Sequence, residues 1–160
     1  MHRVTLLSVR LVLVAACGGF AAYVDARTHE IPDLSWILGL LGAIVVAVIG
    51  ETPAWISALG GAAVMALAFL PGVLVRQGGL PAFPAGDYLL AVALGALAGI
   101  GAVPLALVMI TAIGVVYGGG LIAAGAVQRR PVRDSLSLRP AFAPVLAIGF
   151  VIATAWPLVR

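Results

Sequence analysis

The sequence predicts an all-α membrane protein, a bundle of six transmembrane helices with both termini outside, and three observations carry that expectation. Hydrophobic residues make up 63% of the 160 and charged residues only 9%, whereas a soluble globule needs about a quarter charged residues to clothe its core. Mean hydropathy is +1.20. The apolar residues fall into six runs separated by proline, glycine and polar breaks, each near the ~17–25 residues that cross a bilayer core as a helix. The same composition excludes disorder, a disulfide scaffold and a nucleic-acid module. One domain, residues 1–160, is the economical organisation.

The first run covers residues 4–24. Inside it, Val14-Ala15-Ala16-Cys17-Gly18 imitates a lipoprotein cleavage box. The apolar stretch between Arg10 and Cys17 is only residues 11–16, shorter than the ~7–15 residues of a signal h-region. Cys17 is therefore expected as a small residue in a tightly packed first helix. As the single cysteine, it also excludes an internal disulfide and a paired CxxC zinc ribbon. Runs two and three, residues 34–50 and 54–75, follow the breaks at Pro32 and Glu51-Thr52-Pro53. Run four, residues 88–103, follows Gln77-Gly78-Gly79-Leu80-Pro81 and is the shortest; its first residues are expected at membrane depth inside the protein. Pro104 separates it from residues 105–127, and the stretch 128–140 precedes the last run, residues 141–159. Ala91, Gly95 and Gly99 recur at intervals of four, as do Gly114 and Gly118. Such spacing lets helix backbones approach closely. It predicts a compact bundle around a site, with plain helix packing the alternative for any one glycine.

Parity puts loops 25–33, 76–86 and 128–140 on one side of the membrane. They carry Arg27, Arg76, Arg129, Arg130, Arg133 and Arg139, against Arg3 and Arg160 on the other side and Arg10 part-way into the first helix. The positive-inside rule then places those loops in the cytoplasm, although Arg3 and Arg10 alone favour the reverse around helix one. The net charge of +3 reflects these flanking arginines and says little about acidic partners.

Ionisable groups at membrane depth are costly and therefore functional candidates. Asp25 ends run one and Asp87 opens run four, so two carboxylates reach the same depth from the same side. Paired carboxylates suit hydrolysis by activated water: brought close, they share a proton, and the ionised member takes a proton from water while the other polarises the scissile carbonyl. A helix N-cap is the structural alternative for Asp87. Asp25 has no such local role, since a carboxylate at a helix C-terminus meets the unfavourable end of the dipole. Other protease chemistries fail. His29-Glu30 begins an HExxH pattern, but Asp33 stands at its fifth position and Pro32 would break the required helix. No GxSxG elbow is present, and no metal or cofactor is expected. Glu51 is expected outside, and Asp134 to pair with its neighbouring arginines.

Three segments carry a family resemblance. Asp25-Ala26-Arg27-Thr28-His29-Glu30-Ile31-Pro32-Asp33 resembles the first signature of the type IV prepilin peptidases, an aspartate, a short polar loop and Ile-Pro-Asn/Asp. Pro84-Ala85-Gly86-Asp87, leading into the small-residue helix, is similar to their GxGD motif, and the segment from Arg139 to Gly149 to their closing helix. Two departures stand out: Pro84 replaces the first glycine, and Leu89 a lysine often found after the aspartate. Neither removes a carboxylate. The resemblance implies a membrane aspartic endopeptidase with Asp25 and Asp87 as catalytic pair, and Gly86, Arg27, Ile31 and Pro32 as supporting motif residues. Its partners would be prepilin-like precursors, the lipid bilayer and pilus assembly machinery, and its place the inner (plasma) membrane with the active site at the cytoplasmic face. The chain lacks both the large insert and the paired cysteines of relatives that also N-methylate, so it is similar to the compact peptidase-only form of Flp pilus systems, with archaeal preflagellin peptidases a close cousin. Leaders in this family are basic, so Glu30 and Asp33 are expected to receive them. The competing expectation is an inactive relative or a non-enzymatic membrane scaffold or ion-binding protein.

Overall fold

The computed structural model describes residues 2–77, 80–81, 83–127 and 141–159. The expected cytoplasmic stretch 128–140, with Arg129, Arg130, Arg133, Asp134 and Arg139, lies outside the described residues, as do Arg160 and the side chains of Arg3, Glu51 and Arg76. Among the described residues six helices form: α1 (His2–Thr28), α2 (Asp33–Ile49), α3 (Glu51–Leu74), α4 (Ala85–Ala98), α5 (Val103–Val127) and α6 (Ala143–Val159). Between α3 and α4, β1 (Arg76–Gln77) pairs antiparallel with β2 (Leu80–Pro81), Arg76 opposite Pro81 and Gln77 opposite Leu80. Three helices contain a stretch long and apolar enough to cross a membrane: Thr5–Thr28, Pro53–Leu74 and Val103–Ala124. The helices α2, α4 and α6 are apolar but shorter.

Three boundaries differ from the apolar runs, each for a local reason. Helix α1 continues to Thr28, one turn past Asp25, and His29 donates its backbone N–H to the Asp25 carbonyl at 2.8 Å. Pro53 does not interrupt the chain; it lies in the first turn of α3, where a missing N–H has no intrahelical partner to lose. Gly50 alone makes the α2–α3 corner, as C-cap of one helix and N-cap of the next. Helix α4 stops at Ala98 because Gly99 adopts φ +82°, the left-handed conformation that glycine takes without a Cβ clash. Gly99 is thus a helix stop rather than the third member of a packing stripe, and Pro104 falls in the first turn of α5.

Helix α4 is central. It packs against α2 and α3 most extensively and also against α1 and α6, while α1 and α5 both lie along α6. Leu90, Leu94 and Leu97 are fully buried with the alanines between them, as a helix apolar on all sides should be. Backbones meet where side chains are smallest: a Cβ on Gly95 would lie 2.7 Å from the Gly61 carbonyl oxygen, and one on Gly18 3.0 Å from the Ala147 Cβ. Cys17, beside Gly18, is buried in the packed first helix, as expected. Gly114 and Gly118, by contrast, face nothing within 4 Å, so that repeat makes no helix contact among the described residues. Much of the core is alanine, whereas Ile56, Leu67, Val115 and Val116 are well exposed. A large apolar exterior of this kind marks contact with a non-aqueous phase or a partner.

Candidate active site

Asp25 continues a buried stripe along α1 through Val14, Cys17 and Ala21, spaced three or four residues apart and therefore on one helix face. Asp87 opens the equivalent stripe on α4 with Leu90, Ala91 and Leu94. Both carboxylates are thereby turned into the bundle, Asp25 at 4% exposure and Asp87 at 8%. They line one cleft of about 280 Å³, together with His29, Glu30, Ile31, Pro84 and Gly86.

The capping roles are the reverse of those the sequence suggested. Pro84 is the N-cap of α4 and supplies no side-chain hydrogen bond; Asp87 is in the first turn rather than at the cap. Asp25 is the residue that caps, and it caps a different helix. Its Oδ2 accepts the backbone N–H of Ala143, the first residue of α6, at 2.9 Å in a buried setting. Phe142, which precedes α6 and takes the Val145 and Leu146 N–H groups on its carbonyl, has no side-chain acceptor to offer. Pro144 has no N–H. The first free N–H of α6 is therefore met from α1, and the dipole of α6 offsets the unfavourable one of α1.

The loop between α1 and α2 forms the opposite wall. Thr28 Oγ1 hydrogen-bonds the Val24 carbonyl at 3.0 Å and accepts the Glu30 N–H at 3.3 Å, which turns the chain sharply. His29 takes φ 56° in that turn, a left-handed conformation uncommon for a residue with a Cβ but usual just past a helix end, where its N–H bonds the Asp25 carbonyl. The failed HExxH pattern gave His29 no role; its place in the cleft wall follows from α1 running on to Thr28, beyond the apolar run. Ile31 then meets Gly86: a Cβ at Gly86 would stand 3.3 Å from the Ile31 Cβ. Thus Ile31 of the first motif and Gly86 of the second are in contact, and Gly86 permits it by having no side chain. Pro32 is the N-cap of α2, its carbonyl accepting the Ser35 N–H at 2.9 Å.

Three of the expected residues stand apart from the cleft lining: Arg27 and Pro32 of the supporting motif and Asp33 of the leader-binding pair. The Arg27 guanidinium lies over the Tyr23 ring, 4.3 Å from its centroid, and both are exposed. Asp33 Oδ1 accepts the Trp36 indole N–H at 3.1 Å on the exposed first turn of α2. Of the two loop acids, only Glu30 lines the cleft. Among the described residues no three His, Cys, Asp or Glu gather as a metal site.

Three phenylalanines flank this region. Phe83, just before Pro84, stacks on Phe69 of α3 at 4.9 Å between centroids, and Phe142 meets Phe83 edge-on at 5.0 Å and Phe69 at 6.4 Å. Phe83 also donates its N–H to the Gly72 carbonyl at 2.8 Å. The segments leading into α4 and α6 are thus packed against each other and against α3.

Two inward carboxyls lining one open cleft are groups of the kind that take up and give up protons in hydrolysis. No curated protein and no solved structure matches the chain. The sequence model of the type IV leader peptidase family matches residues 11–119, a stretch that contains both aspartates and every residue lining the cleft. The chain belongs to the type IV leader peptidase family.

Proposed function

We propose that this chain is a membrane aspartic endopeptidase, one 160-residue domain of six membrane-embedded helices, that removes the short basic leader of prepilin-like precursors at the cytoplasmic face of the inner membrane. The observation that carries the reading is the meeting of Asp25 and Asp87 in one cleft, added to the family's leader peptidase activity. The pair shares one proton, because two neighbouring carboxylates cannot both ionise cheaply. The ionised member removes a proton from water as its oxygen attacks the scissile carbonyl, and the protonated member donates to that carbonyl oxygen. Collapse of the tetrahedral intermediate returns a proton to the leaving amine. No cofactor is invoked, and no methyltransferase activity accompanies the peptidase; Flp-type pilins are the expected substrates and a pilus assembly machinery the expected setting.

Glu30, in the cleft wall, is the acid we assign to the basic leader. Asp33, which does not line the cleft, is not. Exposed charge pairs contribute only ~0–1 kcal/mol, so docking of the precursor's apolar helix supplies most of the affinity.

The non-enzymatic scaffold reading draws on one observation, the capping of α6 by Asp25, which is a structural reason for a buried acid. Asp25→Asn separates the two, because asparagine keeps an oxygen acceptor for the Ala143 N–H but cannot serve as base. Co-expression with a prepilin-like precursor should show Asp25→Asn and Asp87→Asn each leaving the precursor at full length while the protein accumulates normally in the membrane. Full processing by either variant would reject the dyad.

A further inference from the structure

We infer that the start of α6 is a positioning element of the catalytic pair: the Ala143 backbone N–H fixes one oxygen of Asp25, and Phe142, held by Phe83 and Phe69, keeps that N–H in register with the helix carrying Asp87. The inference rests on the peptidase reading and goes beyond it, because residues 142–143 lie outside the stretch 11–119 matched by the family.

Ala143 is fully buried and does not line the cleft, so it acts through Asp25 and not on substrate. The first N–H of a helix has no acceptor within that helix. Here its acceptor is Asp25 Oδ2 at 2.9 Å. The terminal torsion of an aspartate is otherwise soft, and a single hydrogen bond to one oxygen selects an orientation and leaves Oδ1 for water.

The second tie runs through the rings. Phe142 immediately precedes Ala143 and Phe83 immediately precedes Pro84, the N-cap of α4. The two rings meet edge-to-face at 5.0 Å, with Phe69 of α3 closing the cluster. A continuous chain of contacts therefore links one aspartate to the other: Asp25, the Ala143 N–H, Phe142, Phe83, Pro84 and the first turn of α4. Displacement of a catalytic group by about 1 Å costs on the order of 100-fold in rate, so a device that fixes the spacing of two carboxyls on separate helices belongs to the catalytic apparatus.

The test uses the full chain in detergent with a prepilin-like precursor bearing a Lys/Arg-rich leader. Ala143→Pro removes the N–H at a first helical residue, where proline is accepted; Ala143→Gly retains it. Ala143→Pro should lower kcat by about 10- to 100-fold with KM unchanged, as expected for misplaced reacting groups, while Ala143→Gly remains near wild type. Phe142→Leu should also lower kcat at constant KM, and Phe142→Tyr should restore it. A folded Ala143→Pro protein with wild-type kcat overturns the inference, as does a loss confined to KM. If Ala143→Pro does not fold, the Phe142 pair decides, and an unchanged kcat in Phe142→Leu overturns it. A wild-type chain that leaves the precursor uncut rejects the peptidase reading itself.

Discussion

Asp25 holds two positions at once: it lines the cleft and it caps α6. The two aspartates should therefore differ in what they contribute to stability. Asp25→Ala leaves the Ala143 N–H buried without a partner, and loss of a cap of this kind costs about 1 kcal/mol. Asp87, in the first turn of α4 where Pro84 and not Asp87 is the N-cap, has no such capping bond to lose, so Asp87→Ala should cost less than Asp25→Ala. Thermal unfolding in detergent, with Asp25→Asn as the cap-preserving control, checks this; equal melting temperatures for Asp25→Ala and wild type would reject the capping role. A companion expectation concerns charge. Glu30→Lys should slow cleavage of a basic leader more than that of a charge-neutralised one, whereas Asp33→Lys should slow neither selectively, because Asp33 does not line the cleft. Comparing rates for the two leaders reads this directly, and equal slowing by both variants would reject the distinction. That Asp25 and Asp87 come to one cleft was legible in the sequence, because each flanks an apolar run on the same side by parity and distance from such a run is a one-dimensional property. The partner of Asp25 was not, since Ala143 lies 118 residues away and offers only a backbone N–H, which every residue type but proline carries.

Between elements, the decisive quantity is how closely two backbones come. Glycines at intervals of four read alike in sequence, but the structure divides them into three kinds. Gly95 meets Gly61 and Met65, Gly99 ends α4 in a left-handed conformation, and Gly114 and Gly118 meet nothing within 4 Å. Spacing alone could not separate these, because it gives the face of a helix and not what lies opposite. Gly95→Ala should destabilise by about 1–3 kcal/mol, the cost of overpacking, since the added Cβ would stand 2.5 Å from the Met65 Cγ and 2.7 Å from a backbone oxygen. Gly114→Ala should be neutral or gain up to about 1 kcal/mol from helix propensity. Denaturation of the two variants side by side checks the contrast. Gly86→Ala belongs to the same class but at the cleft: its Cβ presses on Ile31 at 3.3 Å, so it should reduce cleavage more than it reduces stability. Wild-type cleavage by that variant would show that the Ile31 contact carries no catalytic weight.

At the scale of the molecule, the two ends of the bundle differ in character, and that difference fixes a topology to test. One end gathers Asp25, Glu30, Asp87 and the Ala143 N–H. At the other end Arg10 donates to the Ala98 carbonyl at 3.3 Å, beside Gly99 and Ser57, and the Ile100 N–H closes on the Ser57 carbonyl at 2.9 Å. A cation at the C-terminus of α4 complements the dipole there and explains an arginine part-way along an apolar helix, a position whose partner no local pattern announces. Helix α4, with 14 residues, spans only about 21 Å at 1.5 Å per residue, less than the ~30 Å hydrocarbon core. It can lie at that depth because the other helices enclose it, so its ends need not reach lipid headgroups. A scissile bond just before a precursor's apolar helix would meet Asp25 and Asp87 only if their end of the bundle faces the cytoplasm. Gly101, exposed in the turn between α4 and α5, is at the opposite end and must then lie outside. In a Cys17→Ala background, Gly101→Cys should react with a membrane-impermeant thiol reagent in intact cells, and Ser135→Cys should react only after the cells are opened. The reverse pattern would put both aspartates on the face where no leader is presented, and the proposed substrate with them would have to be abandoned.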